Sequence, residues 1–363
     1  SPFTVAILDV LAATRDERPL PVITQILNEK NPAHTLAAAQ SLKSFGPAAS
    51  TILEQALKQP QSTAVTMALL NSLYHSHDDD IFAALQSHLN ASNPSVRVAA
   101  TRNLKHCDLG NPTVRQAMET CIADAHPSIR HAVSTALRGD SNTAVSIPLL
   151  AQLLHDPNAW VAREAIASIS KSQGTTGARV LSQYLEQDNA PFGLMVIDAL
   201  GTMKPRQSAP VLLDLLRRGE VRFRQAARAA IAKQGRDGLR TLLEAALDEN
   251  SLRRDALETL NAYPDQALPL LMEVVRNRSH ALPEFVVTAL SATGSHKALN
   301  LLDTMWDNRI HRLAIVQGWS HFTAAQVQSR LTRVLSQETD AAIIRAAVQS
   351  SGRAHVRKAI PYM

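Results

Sequence analysis

The chain has 363 residues, of which 45% are apolar, 4% aromatic and 19% charged, and its 37 Lys and Arg residues outnumber its 32 Asp and Glu by five. This is apolar content enough for a large core, but it leaves few aromatic platforms, and no apolar run reaches the roughly 18 to 20 residues that cross a bilayer. Cys107 and Cys121 are the only cysteines and fall on successive antiparallel helices, too far apart to bridge, so no disulfide framework is expected and the cytoplasm is the default compartment.

Taken in chain order, the predicted elements repeat. Val5, Leu36, Val65, Val96, Ile129, Val161, Phe192, Phe223, Leu252, Leu282, Ile310 and Ile344 recur 28 to 34 residues apart. From Val65 to Leu282 each is followed four residues on by an apolar residue such as Leu69, Val133 or Ala227, and eight on by Leu73, Leu104, Leu137, Ile169, Leu200, Ile231, Leu260 or Leu290. Positions i, i+4 and i+8 lie on one stripe of a helix, so each anchor marks a helix with one buried face. A Leu-rich first helix precedes the anchor helix in each repeat, as in Ile147 to His155, Pro210 to Arg218 and Leu268 to Arg276. The second helices start at Asn93-Pro94-Ser95-Val96-Arg97, His126-Pro127-Ser128-Ile129-Arg130 and Asp156-Pro157-Asn158-Ala159-Trp160-Val161, where proline suits a first turn and a polar neighbour caps it. Gly46, Gly110, Gly174, Gly201, Gly235, Gly294 and Gly352 follow second helices, at sites where φ can turn positive.

No linker or change of composition interrupts the period, so residues 1–363 are expected to form one continuous repeat domain. The first helix, Phe3 to Ala13, lacks a preceding partner; its Phe3, Ile7 and Leu11 face is expected to be exposed, and residue 1 reads as a cut in a longer chain. Ala354 to Met363 reads as the start of another helix. The predicted fold class is all-α, an α-solenoid of about eleven antiparallel helix pairs plus a leading half repeat.

Pro-Ser-Val-Arg at Pro94 to Arg97, Pro-Ser-Ile-Arg at Pro127 to Arg130, and the downstream Ala-Ala-x-x-x-Leu resemble HEAT repeats, particularly the short bacterial type found in phycobilin lyase subunits. The resemblance covers essentially the whole chain. It implies a right-handed superhelix whose second helices line a concave face, and a ladder between adjacent repeats built from an Asp in the intra-repeat turn and the Arg after the anchor. Asp124 with Arg130, and Asp248 with Arg253, match both ladder positions; Asp156 and Asp188 match the acidic one, and Arg97, Arg224 and Arg345 the basic one. Ala162, Gly193, Pro283 and His311 depart from it.

Charge is concentrated between Lys204 and Arg240. Lys204, Arg206, Arg217, Arg218, Arg222, Arg224, Arg228, Lys233, Arg236 and Arg240 face only Asp214, Glu220 and Asp237 there, a surplus of seven. Arg224 and Arg228, one turn apart and away from Phe223 and Ile231, are placed to meet an anionic surface, with Asp214, Glu220, Asp237 and Glu244 as counter-charges if the face is simply solvated. A phosphate backbone would suit the cations, yet the window offers Phe223 alone for stacking. Trp306, Asp307, His311, Trp319, His321 and Phe322 cluster farther on, without the Trp and Asp spacing of the HEAT-like alkylpurine DNA glycosylases, and read as packing. His75, His77 and Asp78 have the donors for a divalent metal, although the same acids suit a helix N-terminus. No catalytic residues, resident metal or cofactor are assigned. The expected function is a protein-protein scaffold or adaptor, contacting a partner that presents an acidic surface through Arg130, Trp160, Arg163, Arg217, Arg218, Arg222, Arg224 and Arg228. The alternatives are a lyase-like groove protein and a nucleic-acid binder using residues 204–240.

Overall fold

Each apolar stripe of the sequence becomes one helix of a two-layer stack in the computed structural model, which describes residues 2–14, 16–73, 79–172, 174–187, 190–218, 221–277 and 282–356. No strand occurs among them. The chain divides into two compact units, Ser1–Met195 and Val196–Met363. The first unit holds α1 (Pro2–Thr14), α2 (Leu20–Leu27), α3 (Pro32–Ser41), α4 (Ser50–Leu57), α5 (Thr63–Ser72), α6 (Asp79–Leu89), α7 (Pro94–Asn103), α8 (Pro112–Ile122), α9 (Pro127–Ala136), α10 (Thr143–Leu153), α11 (Ala159–Ser170) and α12 (Thr176–Leu185). The division falls within α13 (Gly193–Leu200). The second unit continues with α14 (Pro205–Arg218), α15 (Val221–Lys233), α16 (Gly235–Asp248), α17 (Arg253–Ala262), α18 (Pro264–Asn277), α19 (Glu284–Ala292), α20 (His296–Thr304), α21 (Arg309–Gly318), α22 (Ala324–Gln337) and α23 (Ala341–Arg353).

Odd-numbered helices are the second helices of the repeats, and even-numbered ones the first. Within each unit a helix packs on its nearest neighbours in both layers, as α7 on α9, α9 on α11, α8 on α10 and α8 on α9 in the first unit, or α19 on α21, α16 on α18 and α14 on α15 in the second. Among the described residues the helices form a leading half repeat and eleven helix pairs, stacked as an all-α solenoid within each unit. Its core is aliphatic: Val65, Leu69, Val96, Ala100, Leu104, Ile129, Val133 and Leu137 are buried in one unit, and Leu252, Ala256, Leu260, Val286 and Leu290 in the other. Cys107 and Cys121 are buried and free of each other, and burial pushes the Cys121 thiol above its ordinary range.

The second helices are set by their caps. Asn31, Ser62, Asn93, His126, Asn158, Asn308 and Asp340 each accept an amide hydrogen of the first turn, and the residue three positions later is buried in every case but His34, which is half-buried. This rule moves three anchors. With Asn308 as cap, His311 is buried at 2% exposure while Ile310 is 81% exposed; with Asp340 as cap, Ile343 is buried in place of Ile344; with Asn31 as cap, His34 takes the slot instead of Leu36. Phe192 precedes its helix, and Gly193 is buried.

The first helices begin earlier than their sequence suggests, at Thr143, Pro205 and Pro264, so Pro148, Pro210 and Pro269 lie inside them. All three prolines are exposed, which leaves the carbonyl freed by each missing amide facing water. Of the predicted turn glycines, Gly46, Gly174, Gly235 and Gly294 do have positive φ, whereas Gly110, Gly201 and Gly352 do not; Gly139 does instead. Gly318 is required for another reason. A Cβ there would lie 2.1 Å from Ser291 Oγ and 2.4 Å from Ser291 Cβ, so only glycine lets α21 approach α19 this closely. In α1, Leu8 and Ala12 are buried while Ile7 and Val10 are exposed; the side chain of Phe3, like residues 357–363, lies outside what is described.

Candidate interaction surface

Two ladders tie successive second helices together and determine which polar side chains remain uncommitted at the surface. In the first, Arg97 Nε donates to Asp124 Oδ2 at 3.0 Å and Arg130 Nε to Asp156 Oδ2 at 2.6 Å, each Arg reaching the acid of the following repeat. The same guanidinium groups bind their own turns: Arg97 Nη1 donates to the Ala91 carbonyl, and Arg130 Nη1 to that of Asp124. Burial alone would raise the Asp124 and Asp156 carboxyls, but the bonds from Arg97 and Arg130, together with the His126 and Asn158 amides, hold both below the usual carboxylate range. Ala162 ends this run. Farther on, Arg312 and not His311 occupies the basic position, with Nε on the Trp306 carbonyl and Nη1 3.6 Å from Glu338. The departure expected at His311 is therefore a register effect of the Asn308 cap.

The second ladder had no counterpart in the sequence reading. Seven residues beyond the core anchor, a small polar side chain donates to a carbonyl of the preceding second helix: Ser72 to Ala39, Asn103 to Leu70, Ser168 to Ser134 and Ser350 to Val316, at 2.7–3.2 Å. Its signal is a polar residue recurring at the seventh position of an otherwise apolar stripe.

Around α9 and α11 the surface residues converge. Trp160, 49% exposed, stacks on His131 with ring centroids 3.6 Å apart and planes 13° from parallel. Glu164 pairs with Arg138 and lies 3.7 Å from His131 Nε2. Burial first, then Arg102 and Arg138, keep the His131 imidazole below its ordinary pKa, and its Nδ1 has no hydrogen-bond partner. Arg163 is exposed one turn beyond Trp160 on the same helix. Arg130, by contrast, belongs to the ladder, with its side chain 13% exposed.

The basic window is largely neutralised from one repeat away. Arg217 binds Glu249 at 2.6 Å, Arg224 binds Asp255 at 2.6 Å, Arg228 meets Asp255 and Glu258, Lys233 reaches Asp198 at 2.7 Å, and Arg240 clasps Glu273 at 2.9 Å. Arg218 pairs within its own helix with Asp214. Arg222 lies 4.6 Å from the Phe223 ring centroid. The counter-charges are mainly Glu249, Asp255, Glu258, Glu273 and Asp198, not the nearer Asp237 and Glu244. His75, His77 and Asp78 lie outside the described residues, and no metal-binding cluster occurs within them.

In the second unit Trp306 and Trp319 stack at 5.5 Å, with Arg312 over the Trp306 ring, and border a cleft of about 560 Å³ together with Asp303, Asp307, Arg330 and Arg333. Trp319, His311 and Phe322 are buried, so most of this cluster is packing. A further cleft of about 600 Å³ opens in the first unit, where Phe82, Gln86, Gln116 and Thr120 flank the Arg97–Asp124 rung.

With the repeat geometry established, residues 82–171 and, overlapping them, 147–232 match the family model for HEAT repeats. Residues 82–232 carry HEAT repeats. No curated protein matches the sequence. Among solved structures, E. coli YibA is 18% identical with a TM-score of 0.37, covering 75% of this chain and 91% of its own. A homology model of the full-length AP-3 complex in an intermediate open conformation is 10% identical with a TM-score of 0.40, covering 96% and 94%. The HEAT match includes both ladder rungs and the Trp160 stack. Among the described residues no helix is long and apolar enough to cross a membrane.

Proposed function

We propose that this HEAT-repeat chain is a protein-protein interaction scaffold or adaptor and that its second-helix layer is the contact surface. One observation carries the reading: where the large exposed apolar side chains lie. Among the described residues after α1, Trp160, Leu194, Val221 and Ile310 lie on second helices and Tyr263 directly follows one, while Val22 alone lies on a first helix. The core consumes the opposite stripe of each second helix, so these residues lie outside the core, and exposed apolar groups gathered on one layer mark a surface kept for contact. The paired cations of residues 204–240 leave a phosphate backbone little to neutralise, which favours a protein partner over nucleic acid.

The test is affinity capture with the intact chain, comparing a Trp160→Ser, Ile310→Ser double variant with Val22→Ser. All three sites are exposed, so folding should be retained. Partners should be lost from the second-helix variant and kept by Val22→Ser; the reverse pattern, or equal capture by both, would defeat the proposal.

A further inference from the structure

On the second-helix layer of the first unit, exposed positive charge without an acidic partner surrounds Trp160. From α3 to α11 the second helices contain a single acid, Glu164, which Arg138 already holds. Arg102, Lys105, Arg163 and Lys171 are exposed on or directly after α7 and α11 and form no ion pair among the described residues. With 100° per residue, these four, His131 and Trp160 all fall within about 120° of the helix circumference, centred opposite the buried stripe. They also cluster through space, since Arg102 acts electrostatically on His131, on which Trp160 stacks. On α17 of the second unit the position equivalent to Arg102 is Glu258, which is engaged by Arg228 and Arg254. Free positive charge beside an exposed aromatic therefore belongs to α7, α9 and α11, and not to the more basic 204–240 window.

We infer that the α7–α9–α11 face binds an acidic, extended segment of a partner protein, whose carboxylates meet Arg102, Lys105, Arg163 and Lys171 and whose aromatic or aliphatic side chain packs on Trp160. This inference rests on the scaffold reading and names the partner's chemistry. Charge complementarity selects an acidic occupant, because no free acid on these helices competes for the cations. The single stacking platform selects a peptide over single-stranded nucleic acid, which needs a succession of aromatic faces along the groove. Trp and Arg are also the side chains that dominate binding energy at protein interfaces. His131 holds the indole in place: its neutral ring fills the space beneath Trp160 and limits the rotamer freedom lost on binding.

The probe is a short synthetic peptide of Asp and Glu with one central Phe, titrated against the intact chain by Trp fluorescence and calorimetry at low and physiological salt. A Phe-to-Ser version of the peptide and oligothymidylate of equal charge serve as comparisons. The Phe peptide should bind about tenfold more tightly than the Ser peptide. Trp160→Ala should abolish that difference, Trp160→Phe should keep most of it, and Arg102→Glu with Arg163→Glu should remove binding of both. Arg206→Glu with Arg236→Glu, exposed cations of the other unit, should change nothing. Absence of peptide binding, indifference to the Trp160 and Arg102/Arg163 variants, or equal binding of oligothymidylate through the same residues would each overturn the inference. If captured partners are still lost from the Trp160/Ile310 variant while the acidic peptide fails to bind, this inference falls and the scaffold reading stands.

Discussion

His311 occupies a slot that Val, Ile or Leu fills in neighbouring repeats, and neither ring nitrogen has a hydrogen-bond partner. Replacing it with Leu should stabilise the chain by about 1 to 3 kcal/mol, because an unsatisfied buried polar group is removed without loss of volume. Burial depresses the His311 pKa. The unfolded chain therefore takes a proton near pH 6.5 that the folded chain resists, so stability is intact above about pH 6.5 and falls below it. Denaturant melts at pH 7.5 and pH 5.5 should show the advantage of His311→Leu growing toward the lower value. Asp156 behaves in the opposite sense. Its lowered pKa supplies stability that is present above about pH 4 and lost as acid protonates it, so Asp156→Asn should cost about 3 kcal/mol at pH 7 and progressively less below pH 4. The same residues mark the limit of the sequence. Ile310 and His311 are adjacent and both fit a helical stripe, so apolarity alone favours Ile310; the Asn308 cap decides the register, and a single Asn is a weak signal until its amide bond is seen. Ladder partners are 26 or 27 residues apart, a separation that becomes readable only once the Arg of one repeat is paired with the Asp of the next.

At the scale of the element, helix spacing is governed by the seventh position beyond the anchor. Gly318→Ala should force α21 away from α19 and cost about 1 to 3 kcal/mol, and adding Ser291→Gly should restore part of that loss in a double-mutant cycle. Additive losses would show that the two helices do not meet there. Helix existence and layer order were legible because the apolar period is strong; the starts of α10, α14 and α18 were not, because a proline reads as part of a first turn even when an exposed helix accommodates it at the sixth position. The basic window shows a related effect. Its surplus is real within 204–240, but a solenoid places residues about one period apart side by side, and Arg217 with Glu249, Arg224 with Asp255 and Arg240 with Glu273 are separated by 31 to 33 residues. Charge in a repeat protein is better summed across neighbouring repeats than along a window.

At the scale of the whole molecule, contacts within each unit run between neighbouring repeats, which makes stability local. Leu104→Ala and Leu260→Ala, each removing a fully buried side chain, should cost about 2 to 5 kcal/mol. Native-state hydrogen exchange should rise mainly from α5 to α9 in the first variant and from α15 to α19 in the second; uniform loosening of the chain would contradict nearest-neighbour coupling. The proposed function separates two tasks by layer: the buried stripe and the two ladders hold the stack together, and the opposite stripe of the second helices is the proposed contact surface. Site-specific photo-crosslinking tests that division most directly. A crosslinker at Arg163 on α11 and another at Arg115 on α8 sample the two layers of the first unit, and both residues are exposed. Crosslinked partners should form from Arg163 and not from Arg115; adducts from Arg115 alone, or the same adducts from both positions, would contradict the assignment of the second-helix layer as the binding surface.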